Sequence, residues 1–242
     1  MEHSFSSRLL LVPLFQGFSK LDFLDIVEKT PFDFLTLPPG KPLVEQGEDC
    51  RSLTILMGGS VCVETLSPDK TYRFCESVAA PLVVQMESLF GLHNRYGHTV
   101  RAVTEVQAVR LDKQSVRELL MANPIFQINF YNALSTFAQQ SDSQLWQTPD
   151  ADLEVRFVHF VRIRSLRPVG AKELHIRMED LALQLDATRM RVSKMLATLS
   201  SADLLIYSRG SIGIPSLERL TAYCLKKASQ RRTVDFESAS EL

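Results

Sequence analysis

The sequence lacks several features that would place it in a membrane or outside the cell. It has no uninterrupted apolar run of about 18 residues, which is close to what a bilayer-spanning helix needs. The N-terminal stretch has a short apolar patch, but Glu2 is acidic and no small-residue cleavage site follows, so no signal peptide is expected. Cysteine is scarce, and no two of the four lie close together, which disfavours a disulfide framework or a zinc site. We therefore expect a cytoplasmic protein with reduced thiols.

The net charge of −1 hides an uneven distribution. Acidic residues outnumber basic ones in residues 1–149, whereas basic residues outnumber acidic ones in residues 150–232. The length of 242 residues is comfortable for two domains. A basic C-terminal domain favours a polyanion as its partner.

Residues 31–111 alternate between apolar and polar side chains in short runs separated by turn residues. The pair Gly58-Gly59 between the apolar runs 53–57 and 61–63 is a strong hairpin signal. Strands at this spacing predict a small antiparallel roll or barrel.

Residues 111–146 return to helical periodicity. A short helix is expected over 113–121, and Asn123-Pro124 begins a longer one. A stripe of residues recurs on this longer helix at spacings of four, three, four and four. The stripe either packs on the roll or forms a coiled-coil-like dimer seam. The length of the helix favours the dimer. The predicted seam consists of Phe130, Leu134, Phe137, Ser141 and Leu145.

The stretch MEDLALQLDATRMRVSKMLATL predicts two amphipathic helices joined by a tight turn. Asp186 stands at the turn and tolerates a left-handed backbone, and Thr188 can cap the second helix. That helix turns Val192, Leu196 and Leu199 toward a core, which leaves a basic face outside.

A hairpin is expected directly after the second helix. Short strands at 204–207 and 212–214 flank the turn pair Arg209-Gly210. Helix, turn, helix and hairpin in this order predict a winged helix-turn-helix that binds double-stranded DNA.

The runs LALQLDATRMRVSKML and LLIYSRGSIGI resemble the DNA-binding domain of the Crp/Fnr transcription regulators, and VEQGEDCRSLTILMGGSVCV resembles the opening strands of their β-roll. The resemblance implies an α+β fold. An antiparallel, jelly-roll-like β-roll with lead-in helices would occupy 1–111, and helices including a long dimerisation helix 112–147. A winged helix-turn-helix would occupy 148–230 and a disordered tail 231–242. The resemblance also implies a homodimer that contacts RNA polymerase.

The family's base-reading positions fall on the second of the two helices. Arg189 matches a family arginine that can pair with guanine, whereas Met190 replaces a glutamate and Lys194 an arginine. A half-site different from the common TGTGA is therefore expected. The DNA-binding residues implied by the resemblance and the hairpin are Thr188, Arg189, Met190, Arg191, Ser193, Lys194, Arg209, Gly210 and Ser211.

The family's nucleotide-binding members surround the cyclic phosphate and ribose with Gly-Glu-Leu and Arg-Ser-Ala segments and with backbone N–H groups. This chain has Met86 where the glutamate would be, and Tyr96-Gly97-His98 where Arg-Ser-Ala would be. Cyclic AMP is therefore not the expected effector. The predicted effector pocket consists of Met86, Glu87, Ser88, Tyr96, Gly97, His98, Ser141 and Asp142.

Three alternatives remain for the effector: an unknown small molecule, haem, or no ligand at all. Haem-sensing relatives use axial His or Cys ligands, and His93, His98, Met86 and Cys75 lie near the vacated pocket in the sequence. Without a ligand, the roll would serve as a dimer scaffold.

Iron–sulfur, metal and enzyme chemistry are not expected. Some Fnr-type members carry an iron–sulfur cluster on clustered N-terminal cysteines, but the first cysteine here is Cys50. A cupin-like enzyme needs a histidine cluster for its metal, and the two histidines of the roll, His93 and His98, form no His-x-His pair. No catalytic residue is assigned.

Overall fold

The computed structural model describes residues 8–145 and 152–240, which separate into two compact units. Unit 1 contains residues 8–64 and 78–145, and unit 2 contains residues 65–77 and 152–240. The domain boundary predicted between residues 147 and 148 lies outside the described residues. The first eight strands in chain order are β1 (Asp33–Leu37), β2 (Pro42–Val44), β3 (Ser52–Gly58), β4 (Ser60–Leu66), β5 (Tyr72–Ala79), β6 (Leu82–Val84), β7 (Thr99–Ala102) and β8 (Val106–Asp112).

Antiparallel strands form the core of unit 1. One group has the order β1-β8-β3-β6, and in a second group β7 pairs with both β2 and β4. Side chains from both groups, such as Ile55, Val61 and Val109, are fully buried in one apolar core, as the alternating pattern predicts. Strand β6 ends at Val84, because Gln85 adopts a left-handed backbone and a 3₁₀ turn follows.

The hairpin between β3 and β4 depends on Gly59. Its φ of +85° is accessible to glycine at little cost, and a Cβ at this position would collide with the carbonyl oxygen of Glu105. The turn predicted from Gly58-Gly59 is therefore present and sterically tight.

Three helices pack with the strands of unit 1: α1 (Lys20–Lys29), α2 (Lys113–Ala122) and α3 (Pro124–Leu145). Side-chain caps fix where they begin, since Ser19 accepts a hydrogen bond from the Asp22 N–H and Asp112 accepts one from Ser115. Helix α3 is anchored at its first turns, where Phe126 is buried against Phe15 with ring centroids 5.5 Å apart.

The assignment of Phe130 to the dimer seam is wrong. Phe130 is 2% exposed and belongs to the core of unit 1, with ring centroids 6.3 Å from Phe126 and 6.1 Å from Phe90. The first turns of α3 already pack into the core of unit 1, against Phe15 and Phe90, so the N-terminal end of the stripe is used there.

Unit 2 combines strand β5 with the C-terminal part of the chain. Its further elements are α4 (Leu153–Arg162), β9 (Lys172–Ile176), α5 (Met178–Gln184), α6 (Arg189–Ser201), β10 (Ile206–Ser208), β11 (Ser211–Ile214) and α7 (Leu217–Ser240). Strand β5 pairs antiparallel with β9, β9 with β11, and β11 with β10.

Residues 65–77 therefore lie with the C-terminal elements and not with the roll, where the sequence places them. Pairing runs from Tyr72 opposite Ile176 to Glu76 opposite Lys172. The side chain of Phe74, between them, is buried in the core of unit 2. Backbone pairing and apolar burial together account for the difference from the predicted boundary.

The prediction of a disordered tail over 231–242 is corrected as far as Ser240, because α7 continues to that residue; the last two residues lie outside the described part of the chain. Its first turns are held by Leu217, Leu220 and Cys224, which are all buried in unit 2. The following residues contain neither glycine nor proline, so a polar sequence can extend the helix.

No helix of the described residues is long and apolar enough to cross a membrane.

Candidate nucleic-acid interface and effector pocket

Helices α5 and α6 are joined by the turn that the sequence predicts. Asp186 has a φ of +46°, which confirms the expected left-handed residue. Thr188 precedes α6, and its side-chain oxygen lies 3.4 Å from the Arg191 N–H that it accepts. Val192 and Leu196 are buried, so the apolar face of α6 packs into unit 2 as expected.

The opposite face of α6 is open to solvent. Met190 is 81% exposed, and the Arg189 guanidinium reaches the Glu179 carboxylate with its Nη1 3.3 Å from Oε1. The exposed residues of this face are Thr188, Arg189, Met190, Arg191, Ser193 and Lys194.

Strands β10 and β11 form a hairpin beside these helices. Ser208 pairs with Ser211, and Gly210 at the tip has a φ of +80°. The tip exposes Arg209 and Gly210, whereas Ser211 is half-buried.

A groove of about 420 Å³ runs between the hairpin and the helix pair, and Arg189 and Arg209 both line it. The groove also contains Arg177, which the sequence reasoning missed. Arg177 precedes α5 and donates through its Nε to Asp180 at 2.7 Å, and its place before an acidic helix start was the available signal. Of the predicted DNA-binding residues, Arg189 of α6 and Arg209 and Gly210 of the hairpin thus border one groove.

The predicted effector pocket begins with a short 3₁₀ turn, Met86–Ser88, that follows the left-handed Gln85. Gln85, which the sequence reasoning also missed, joins this turn to the segment 96–98. Its side-chain Oε1 accepts from the N–H groups of Gly97 at 2.7 Å and His98 at 2.9 Å. Its Nε2 donates to the His98 carbonyl at 2.9 Å.

Tyr96 points into the core of unit 1, and its hydroxyl donates to the Ser52 carbonyl at 3.3 Å. Burial, followed by the hydrogen bond with Cys50, raises the pKa of Tyr96 to about 12, which keeps the phenol neutral. Burial lowers the pKa of His98, which favours the neutral imidazole. Burial also raises the pKa of Glu87, which disfavours its charged form.

Arg95, the neighbouring cation, is directed elsewhere. Its Nη1 donates to the Gly47 carbonyl at 3.2 Å, and its Nε lies 3.7 Å from the Asp49 carboxylate. His93 is exposed in its loop. The haem alternative, for which His93 and His98 were considered, remains a prediction.

The other predicted pocket and seam residues lie on α3. Ser141 and Asp142 are exposed, and the Ser141 hydroxyl donates to the Phe137 carbonyl of its own helix at 3.0 Å. Leu134 is partly buried against the core of unit 1, whereas Phe137 is 42% exposed. The side chain of Leu145 lies outside the described part of the chain.

Residues 34–123 match the family model of the cyclic nucleotide-binding domain. The match includes β1 to β8 and helix α2, so the antiparallel strands and helix of this region have the fold of that domain. No curated protein sequence matches the chain.

Solved structures of transcription regulators are similar to this chain over most of its length. The catabolite activator protein of Thermus thermophilus is 19% identical, with a TM-score of 0.52, and the alignment covers 88% of this chain and 100% of that protein. The c-di-GMP-responsive global regulator CLP of Xanthomonas campestris is 13% identical with a TM-score of 0.47, covering 79% of this chain and 97% of that one. DNR of Pseudomonas aeruginosa is 19% identical with a TM-score of 0.43, covering 89% and 96%. At these identities the likeness to the Thermus protein concerns the fold alone.

Proposed function

We propose that the chain is a sequence-specific, DNA-binding transcription regulator of the Crp/Fnr type. It acts in the cytoplasm as a homodimer on a pseudo-palindromic site and contacts RNA polymerase. The observation that carries the proposal is the groove of unit 2, which Arg189 of α6 and Arg209 of the hairpin both line.

The dimensions of this region suit a winged helix-turn-helix. Helix α6 has 13 residues, and an α-helix of about 10–12 Å diameter fits the major groove, which is about 12 Å wide. Arg189 and Met190 stand at its N-terminus, the end that reads bases in this class of protein. Arg209 at the hairpin tip would contact phosphate, which positions the protein without specifying sequence.

The dimer would form through the exposed part of α3. Phe137 is one of the large apolar side chains left open on this helix, and a helix of 22 residues extends well past the turns that pack into the core of unit 1. Two copies of α6 related by two-fold symmetry would then read half-sites about 34 Å apart.

The roll would respond to something other than cyclic AMP. Tyr96 is neutral and buried where a cyclic-phosphate site would need a cation, and Met86 provides no carboxylate for a ribose. The same filling of the pocket by the chain's own side chains supports a second candidate, a ligand-independent DNA-binding protein whose roll is a dimer scaffold.

The test of DNA binding is an anisotropy titration of the full chain with a random-sequence duplex over a range of salt concentrations. Arg209→Ala should weaken binding to all sequences and reduce the salt slope by about 1, because one phosphate contact is lost. Lys226→Ala, an exposed lysine of α7 that does not line the groove, is the matched control. Absence of salt-dependent binding by the unmodified chain would reject the proposal.

A further inference from the structure

Gln85 combines a left-handed backbone with a buried, hydrogen-bonded side chain. Its backbone is left-handed, with φ +43° and ψ +49°, a conformation that residues other than glycine rarely adopt. The residue is nonetheless only 7% exposed. Three hydrogen bonds, all to the backbone of Gly97 and His98, hold its amide in place.

The two N–H groups that meet the Gln85 oxygen come from consecutive residues. Consecutive backbone N–H groups converging on one point form a concavity that suits the oxygen of an anion, such as a phosphate or carboxylate. Here the position is taken by a neutral oxygen of the chain itself, at 2.7 Å from Gly97 and 2.9 Å from His98. The amide pair is thus already satisfied.

The other half of the amide makes the arrangement hard to displace. Gln85 Nε2 donates to the His98 carbonyl, so donor and acceptor of one side chain are bonded to one short segment. An entering anion would take the two N–H groups but would leave the Gln85 amide and the His98 carbonyl to find new partners. Leaving buried polar groups unpaired costs free energy. The contact of Gln85 with the two N–H groups is therefore favoured over the contact of an anion, unless the anion gains compensating charge interactions.

The charges nearby do not favour an anion. The Tyr96 phenol and the His98 imidazole are neutral for the reasons given above, and the Arg95 guanidinium is bonded to the Gly47 carbonyl. Any charge on Glu87, two residues from Gln85, would repel an entering anion.

We propose that Gln85 is a specificity-determining residue, a built-in neutral ligand that keeps phosphate-bearing molecules off the Gly97–His98 amide pair. The inference deepens the part of the proposed function that excludes cyclic AMP, because it names the side chain that enforces the exclusion. The exclusion of phosphate by Gln85 does not depend on DNA binding.

The experiment compares the full-length chain with three variants. Gln85→Gly removes the amide and suits the left-handed backbone, so it should expose the amide pair without backbone strain. Gln85→Asn tolerates the same backbone but is one methylene shorter and serves as the second opening variant. Gln85→Glu keeps an acceptor for both N–H groups and adds negative charge, so it is the closed control.

Binding of inorganic phosphate and of cyclic AMP is measured by calorimetry. Hydrogen exchange of the peptide that contains residues 96–98 is followed in parallel. The unmodified chain should show protected amides and bind neither ligand, as should the Gln85→Glu variant. The Gln85→Gly variant should lose protection and bind phosphate or cyclic AMP at least about tenfold more tightly, equivalent to roughly 1.4 kcal/mol, with protection restored by the ligand.

Three outcomes would overturn the inference, and they differ in which other claims they reject. If the unmodified chain binds cyclic AMP and its 96–98 amides become further protected, both the built-in ligand and the exclusion of cyclic AMP are wrong. If a folded Gln85→Gly or Gln85→Asn variant binds neither ligand, only the role of Gln85 is wrong. Failure of both opening variants to fold would make Gln85 a structural residue and would equally reject the specificity role.

Discussion

The Glu76 carboxylate lies 2.8 Å from the Lys172 ammonium, from Oε1 to Nζ, and the two side chains are 2% and 1% exposed. Glu76 also accepts hydrogen bonds from the backbone N–H groups of Leu166 at 2.8 Å and Arg167 at 3.1 Å. Residues almost one hundred positions apart in the chain therefore share one buried charged cluster in unit 2. Such a pair is tolerated because its remaining hydrogen-bonding positions are filled.

Glu76→Ala should destabilise unit 2 strongly. It would leave the Lys172 ammonium buried without its carboxylate and two backbone N–H groups without an acceptor, a loss of about 3–5 kcal/mol. Urea unfolding followed by circular dichroism measures the change. Glu173→Ala, next to Lys172 on β9 but exposed, should cost under about 1 kcal/mol. Equal losses for the two variants would show that the buried pair does not hold β5 in unit 2.

Arg189→Ala should remove sequence discrimination at one base pair while leaving weak, salt-sensitive binding. A bidentate contact between arginine and guanine contributes about 1–3 kcal/mol of discrimination. The measurement is competition between a bound duplex and single-base variants at fixed salt, with Lys226→Ala as the control outside the groove. An unchanged preference at every position would remove Arg189 from base reading.

Phe137→Glu should separate the proposed homodimer into monomers. Because Phe137 is 42% exposed in one copy of the chain, a charge there would not disturb the core of unit 1 but would be buried in a dimer contact. Sedimentation should show a dissociation constant raised by about tenfold or more. Leu92→Glu, on a side chain 95% exposed in a loop, is the control and should leave the dimer intact. A dimer unaffected by Phe137→Glu would place the interface elsewhere.

The stability of unit 2 should fall in acid through Glu154. Burial raises the pKa of this carboxyl, but hydrogen bonding with Asp152 and with the Lys227 ammonium outweighs burial and lowers the pKa from 4.5 to about 2. A carboxyl with a depressed pKa in the folded state contributes stability above its unfolded pKa and loses it as pH falls through the folded value.

The loss should therefore develop between about pH 4.5 and pH 2. Lys227 Nζ lies 2.8 Å from Glu154 Oε1, so Lys227→Met should flatten this part of the pH profile, whereas Lys226→Met should not. The free energy of unfolding measured at several pH values provides the test. A profile unchanged by Lys227→Met would contradict the role of the pair.

Local signals made the helix pair and hairpin of unit 2 predictable. The amphipathic spacing around Val192 and Leu196, the turn at Asp186 and the cap at Thr188 are each contained within a few residues. The pairing of β5 with β9 was not predictable, because it joins residues about one hundred positions apart. The sequence pattern of a strand does not identify its partner strand.

Two further residues show where periodicity is ambiguous. The stripe on α3 contains Phe130 and Phe137 at equivalent helical positions, yet the first packs in the core and the second is open. Spacing identifies an apolar face but does not say which neighbour covers it.

Gln85 was missed because a left-handed backbone is normally signalled by glycine or asparagine. Here a glutamine adopts that backbone, and its side chain is hydrogen-bonded.

Sequence-specific DNA binding is measured by selecting bound duplexes from a random pool with the purified 242-residue chain at a fixed salt concentration. We expect a two-fold symmetric motif with half-sites about one helical turn apart. The half-site should differ from TGTGA, since Met190 and Lys194 stand where the resemblance has glutamate and arginine. Failure to enrich any sequence, with the apo chain and with added cell extract or haem, would contradict a sequence-specific DNA-binding regulator.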